Sequence, residues 1–345
     1  MNFEPKINDL VNYGYAAAAA LVGYNAGLFD CLDSTPKTCE TLARETKCKS
    51  RYVQEWLNAM VCAGIVESGD GKTFSIPEEN RGYFKVGSPH MAMLVHLPMV
   101  FGAFTAIEKC FKLDGPGGTT YHDYGKFYEN TPAVQFSAVI PSLVHHDPSI
   151  HEMLENGCQC LDVGCGWGTA IYTLSKLYPK TKFHGIDVIE SAIHDAKERI
   201  SKENVVTNVE YSVMDAAKLS QHWENSFNYV MTFDAVHDQA HPNRALREIF
   251  RVLKPGGYYS MVDVNASVDV LTNKREKPLA AGLYGISLFH CMPISLGPKG
   301  DGLGLGTMWG KEKAAEMLQE AGFVDVKFYT IGEHGLNYHC VSRRP

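Results

Sequence analysis

Residues 160–168 read CLDVGCGWG, and this stretch decides the fold. A short apolar run passes into three glycines at alternate positions, Gly164, Gly166 and Gly168, and then into the helix-forming GTAIYTLSKLYP. A strand that feeds a glycine-rich turn and a helix opens a nucleotide-type α/β crevice, where the missing side chains let backbone approach a ligand closely. Asp162 closes that strand, Asp187 closes the next strand-like run (KFHGID), and Asp215 follows a third (VEYSVM). Taken singly, each acid fits a cap or a loop. Three acids at the carboxyl ends of successive strands describe one crevice, with Asp187 placed to accept both hydroxyls of a ribose and Asp215 an adenine amino group.

The alternation continues outward. KFHGID, ESAIHDAKERIS, VEYSV, FNYVMTFDA, NRALREIFRVL and YYSMVDV succeed one another as strands and helices and specify a parallel sheet covered on both faces. An amphipathic helix, KEKAAEMLQEAGF, and two short strands, VKFYTI and NYHCVS, then suit an antiparallel strand at one edge. The expected fold class is α/β, a seven-stranded, mostly parallel Rossmann-like sheet. Toward the N-terminus, Thr38 caps a helix in ETLARETK, residues 49–63 carry Val53, Trp56, Leu57 and Met60 on one stripe, and GIVESGDGKTFSI reads as a hairpin. Helix, turn, helix and wing resemble a winged-helix domain. Residues 89–150 are rich in Met, Phe, Tyr and Pro, with LDGPGG as a breaker between apolar helical stretches. The expected organisation is therefore 1–88 winged-helix domain, 89–150 helical connector and substrate lid, and 151–345 the α/β domain.

A chain of 345 residues with 45% apolar and 21% charged content has the composition of a globular protein of about two domains. A net charge of -7 gives no electrostatic footprint for phosphates, so nucleic acid is not the expected partner. The helix that would read DNA offers Lys49 and Arg51 but also Glu55. No basic segment precedes the apolar stretch at 15–29, which Gly23, Tyr24 and Asn25 interrupt short of the ~20 apolar residues of a membrane span, so neither signal peptide nor membrane span is expected. Ten cysteines include no CxxC pair, and the nearest two, Cys158 and Cys160, share one side of a strand. They read as reduced, buried thiols of a cytoplasmic protein.

The glycines are spaced GxGxG, not the GxGxxG of pyrophosphate binders. S-adenosylmethionine (SAM) carries no phosphate for a helix N-terminus to hold, so the pattern favours SAM over NAD as cofactor. The expected binding set is Asp162, Gly164, Gly166, Gly168, Asp187 and Asp215 with the neighbouring Val188, Ala216 and Phe233. With the strand-closing phrase RVLKPGGYYSMVDV, residues 160–264 resemble class I SAM-dependent methyltransferases. The whole chain resembles the winged-helix small-molecule methyltransferases, a group including many O-methyltransferases. Within them it is similar to a branch marked by FDAVHD, by YGISLFHCMPISL with its following glycine-rich loop, and by GLNYHCV, and it bears an overall likeness to nematode thiol-directed members. The resemblance implies methyl transfer to a small-molecule acceptor and a homodimer formed through the N-terminal helices, where VNYGYAAAAALVGYNAGLF has small residues that permit close packing. A second GxGxG, at Gly302, Gly304 and Gly306, follows no parallel strand and reads as a flexible loop near the site mouth.

Methyl transfer from a sulfonium is an in-line displacement in which the protein aligns the acceptor and excludes water. A hydroxyl acceptor must lose its proton during attack, whereas a thiol with pKa near ~8.5 is already partly ionised at neutral pH. The candidate base is His237, in TFDAVHDQAHP after the fourth strand. In plant O-methyltransferases, which the chain distantly resembles, a His-Asp pair at that point supplies the base; His237 and Asp238 match it, and Gln239 stands where those enzymes have Trp. A substrate-orienting or structural histidine is the alternative. His237, Asp238 and His241 have the spacing of metal ligands on a helix, but Pro242 opens the next helix and leaves both histidines in a loop, so no metal is expected. The acceptor pocket is expected between Tyr121, Tyr124 and Phe127 and the later Phe289, His290, Cys291 and Met292, residues that equally suit a plain core. Two competing functions remain: a winged-helix regulator that senses SAM, which needs a basic recognition surface, and a dehydrogenase, which the GxGxG spacing disfavours.

Overall fold

The computed structural model describes residues 3–85, 88–124, 139–203, 207–332 and 335–345. They fall into two units, one running to Pro98 and the other from Met99 to Pro345. In the first, the helix Cys39–Glu45 is capped by Thr38, whose hydroxyl oxygen accepts the Thr41 N–H at 3.2 Å. The helix Ser50–Cys62 buries the stripe Val53, Trp56, Leu57 and Met60. The expected hairpin is reduced to one antiparallel bridge between Glu67 and Ser75. Asp70 Oδ1 accepts the N–H groups of Lys72 and Thr73, both at 2.8 Å, closing a side-chain turn at the tip. The outer arm, Thr73–Phe74 (β2), pairs with Lys37–Thr38 (β1) instead.

The second unit is built on seven strands: Gln159–Val163 (β3), Lys182–Asp187 (β4), Val209–Val213 (β5), Phe227–Phe233 (β6), Leu253–Val264 (β7), Val324–Ile331 (β8) and Asn337–Arg343 (β9). Their order is β5-β4-β3-β6-β7-β9-β8. The strands β3 to β7 are mutually parallel, and β9 runs antiparallel between β7 and β8 near that edge. The strand β3 lies between β4, its successor, and β6, so the order of connection reverses there, and the crevice beyond the carboxyl ends at such a reversal is where open α/β sheets bind ligands. One face of the sheet packs on the helix Pro242–Val252 and on Trp309, Met317 and Phe323. The other packs on Ile150, Leu154, Ile171 and Leu174. No helix of the described residues is long and apolar enough to cross a membrane.

Buried in the sheet, His339 of β9 bonds through Nε2 to the Ser260 hydroxyl and through Nδ1 to His146 Nδ1, the latter at 2.8 Å. Burial first, and then the neighbouring His146, push the His339 pKa down to about 3. Between the ordinary histidine value and about 3 the unfolded chain takes up a proton at this position that the folded chain refuses, so stability falls as pH falls through that window, by about 1.4 kcal/mol per pH unit for one proton. Urea midpoints measured from pH 7 to pH 4 in the parent and in His339→Gln are expected to differ in slope by about one proton's worth, with the parent losing more toward acid. A variant with an unchanged slope assigns the pH dependence elsewhere.

Candidate functional site

At the carboxyl end of β3 the three glycines do two different jobs. All lie at positive φ, 75° for Gly164, 51° for Gly166 and 68° for Gly168. A Cβ on Gly164 would stand 2.6 Å from the Ala235 Cβ, and one on Gly168 would stand 2.2 Å from the Tyr211 hydroxyl, so packing demands glycine at both. A Cβ on Gly166 would meet nothing within 4 Å. That open space is the crevice. Asp187, closing β4, pins the turn: its Oδ2 accepts the Gly166 N–H at 2.8 Å and its Oδ1 the Ile189 N–H at 2.9 Å. Burial pushes its carboxyl pKa up and those backbone bonds hold it back. Asp162 is buried in β3 with Oδ1 lacking a hydrogen-bond partner, and burial followed by the charge of Asp187 raises its pKa well above the carboxylate range.

The remaining expected cofactor residues are less alike. Asp215 is exposed after β5 and accepts the Ala217 N–H at 2.8 Å. Val188 is half exposed beside Asp187. Ala216 belongs to the core, which leaves only its backbone for a ligand, and the Phe233 ring packs on the opposite core cluster.

His237 stands in the loop after β6, buried on all sides. Its Nδ1 is 2.7 Å from Oδ1 of Asp263, a residue with 0% exposure near the end of β7. Asp238, its expected partner, is on the other side of the ring, with Oδ1 3.4 Å from Nε2. The carboxylate that orients the histidine is thus Asp263, which the sequence reading missed. Burial pushes the His237 pKa down, but the charges of Asp263 and Asp238 outweigh it and hold it well above the ordinary value. Asp234, also missed, takes the left-handed conformation at φ 45° and accepts a hydrogen bond from the Asn337 side chain at 3.0 Å. Burial and then Asp263 raise its pKa. The phrases FDAVHD and GLNYHCV held the signal for Asp234 and Asn337, since one contains each.

The residues expected to wall the acceptor gather around a turn of π-helix, Ser287–Cys291. The His290 ring meets Tyr124 edge-on at 4.8 Å and Tyr121 at 6.4 Å, and the Tyr124 hydroxyl bonds that of Thr119 at 2.8 Å. Phe289 stacks on Phe104 at 6.1 Å. Burial, then Asp238 and Asp187, push the Tyr121 phenol well above its usual value, which sets this ring within the fields of both the glycine-turn acid and the histidine loop. The Cys291 thiol lies 3.3 Å from His290 Nδ1, and burial followed by Asp238 pushes it up to about 12. Met292 does not face this group in the same way: its Cβ lies against Gly306, 3.0 Å from where a side chain there would begin. Phe127 lies outside the described residues. The second glycine run is a loop as expected, but a pinned one. The Leu303 N–H donates to the Ala240 carbonyl at 2.9 Å, and the Leu305 and Thr307 N–H groups donate to the hydroxyls of Ser295 and Ser287.

A methyltransferase-domain family model matches residues 154–329, and a model of the Rv2258c-like winged helix-turn-helix domain matches residues 15–84. A demethylmenaquinone methyltransferase of Staphylococcus aureus is 31% identical over 183 residues, 50% of this chain and 71% of that protein. A ubiquinone/menaquinone biosynthesis C-methyltransferase of Hydrogenovibrio crunogenus is 28% identical over 134 residues, 39% of this chain and 49% of that protein, so the chain spans about half the length of that relative. Human N-acetylserotonin methyltransferase, solved in complex with SAM, superposes with a TM-score of 0.64 at 18% identity, covering 100% of this chain and 98% of that one, a likeness of fold.

Proposed function

Since the chain belongs to the SAM-dependent methyltransferases, we propose that it methylates a small-molecule thiol or hydroxyl bound between Tyr121, Tyr124, Phe289, His290 and Cys291 and facing His237. The observation that carries this reading is the buried His237–Asp263 pair at 2.7 Å, one loop away from the glycine turn. Bound SAM supplies an electrophilic methyl group on a sulfonium. Asp187 and the open backbone at Gly166 fit its nucleoside half, and the orphaned Asp162 Oδ1 fits a donor such as its ammonium group. Val188, Asp215, the Ala216 backbone and Phe233 complete the expected wall. Asp263 keeps the His237 proton on Nδ1 and leaves Nε2 to take the acceptor's proton. His237, held cationic by its carboxylate neighbours, acts as a base once a cation in the cleft offsets their charge. The tyrosines exclude water from the transfer path.

The winged-helix unit supports a structural role better than DNA reading, because Arg51 of its second helix is paired with Glu55. Its first helix exposes Leu10, Val11, Tyr13, Tyr15 and Val22 around much of its circumference, apolar surface suited to a second copy of this chain. Ten free thiols support a reducing, cytoplasmic setting.

S-adenosylhomocysteine release, followed against phenols, catechols, small thiols and carboxylic acids, tests the proposal. Turnover is expected with thiols or phenols. SAM binding without turnover of any acceptor would leave a cofactor sensor in its place.

A further inference from the structure

At the expected acceptor wall three side chains from two distant segments converge. A nitrogen of His237, a carboxylate oxygen of Asp238 and the Cys291 sulfur all lie within 4.8 Å of one another. The Nε2–Oδ1 separation of 3.4 Å is too long for a hydrogen bond. It matches the ~3.4 Å that separates two N or O ligands held at ~2.0–2.1 Å in a tetrahedral shell. Asp238 Oδ1 is buried, faces the ring as an ion pair and has no hydrogen-bond partner. The far nitrogen of His237 is fixed on Asp263 at 2.7 Å, the arrangement in which a carboxylate orients a metal-binding imidazole and raises its basicity. Imidazole, carboxylate and thiolate suit zinc-class ions and do not suit magnesium or calcium, and three protein ligands with a fourth position open is the pattern of catalytic zinc. The sequence offered His241 as the third ligand; the π-helical turn offers Cys291 instead.

We propose that His237 Nε2, the Asp238 carboxylate and the Cys291 thiolate bind a zinc-class divalent cation whose open position takes the sulfur or oxygen of the methyl acceptor. This rests on the reading of the pocket as the acceptor site. Metal binding displaces the Cys291 proton and the Nε2 proton of the cationic His237 to solvent, and acceptor binding displaces the acceptor's own proton in the same way. A lone pair of the metal-bound sulfur or oxygen forms the new bond to the methyl carbon as the sulfonium C–S bond breaks, its electron pair staying on the sulfur of S-adenosylhomocysteine. The methylated product has lost its negative charge, is the poorer ligand and leaves. In the metal-loaded protein His237 Nε2 is a ligand in place of the base, so ligand and base are alternative roles of one nitrogen.

The test is cobalt(II) added to the purified, metal-stripped full-length chain. One equivalent is expected to bind with a near-ultraviolet thiolate-to-cobalt charge-transfer band and the strong visible bands of a tetrahedral ion. Cys291→Ser is expected to abolish the charge-transfer band, and Asp238→Asn to weaken binding at least tenfold with the band retained. Absence of the band from the parent protein, or an equal band in Cys291→Ser, overturns the proposal, because the chain has nine other cysteines to bind adventitious metal. S-adenosylhomocysteine release separates the two readings. Full turnover by a metal-stripped, band-free protein overturns the metal site and leaves the base; no turnover with any acceptor, with or without zinc, overturns the methyltransferase pocket itself whatever the cobalt spectrum.

Discussion

Replacing Asp187 by alanine is expected to weaken SAM binding by about a hundredfold or more, beyond what its loss of folding stability explains. The carboxylate closes β4 at the point where the sheet order reverses, and both its oxygens already serve N–H donors of the glycine turn and of the residue after next. Each oxygen keeps a further lone pair for a ligand hydroxyl. Hydrogen bonds to a charged group contribute about 1.5–3 kcal/mol each, so losing two amounts to about 3 kcal/mol or more, and 1.4 kcal/mol is a factor of about ten in affinity. Folding weakens too, because the Gly166 and Ile189 N–H groups lose their acceptor, and this is offset in part because the same change removes a carboxylate that burial disfavours. Asp187→Asn keeps the size but turns one acceptor into a donor aimed at backbone N–H groups, so it is expected to be nearly as damaging. Calorimetric titration with S-adenosylhomocysteine, alongside the unfolding temperature of each variant, checks this. Affinity within threefold of the parent would move the nucleoside half elsewhere.

That crevice was readable in the sequence because a parallel sheet turns order along the chain into position in space. Once β3 to β7 run parallel, any residue that closes a strand lies on the same rim, and Asp162, Asp187, Asp215 and the His237 loop needed no further information. Pairing across that rim was not readable. Asp238 stands next to His237 in the chain, so spacing suggested it as the partner. The actual partner, Asp263, lies inside the apolar run YYSMVDV and meets the ring only because β6 and β7 pair, Phe233 opposite Val262. The π-helical turn was equally silent. A single wide turn sets Cys291 beside the histidine loop, His290 against Tyr124 and Met292 against Gly306, yet no residue preference marks it. The wing shrank to a bridge because Asp70 satisfies the tip's N–H groups with its own side chain, and the glycine loop lost its expected freedom to the hydroxyls of Ser287 and Ser295.

With a hydroxyl acceptor, His237→Ala is expected to lower kcat by roughly a hundredfold or more with SAM affinity little changed, since general-base assistance contributes about 10²–10⁴. The variant loses the ring that the Asp263 carboxylate holds and leaves that carboxylate buried with only the Val264 N–H on Oδ1, at 2.7 Å. Some destabilisation follows from the cavity and the stranded charge, and SAM binding by the folded variant controls for it. Asp263→Asn separates orientation from proton transfer. An amide in place of the carboxylate no longer stabilises the imidazolium and favours the tautomer with its proton on Nε2, so a loss of similar order is expected from a protein whose histidine is still present. With a thiol acceptor the His237→Ala defect is expected to shrink as pH rises past about 8.5, where thiolate forms unaided. A thiol defect that stays constant across that range would make His237 a positioning residue. A loss under tenfold with every hydroxyl acceptor would remove the base assignment and leave the His237–Asp263 pair as a strut between β6 and β7.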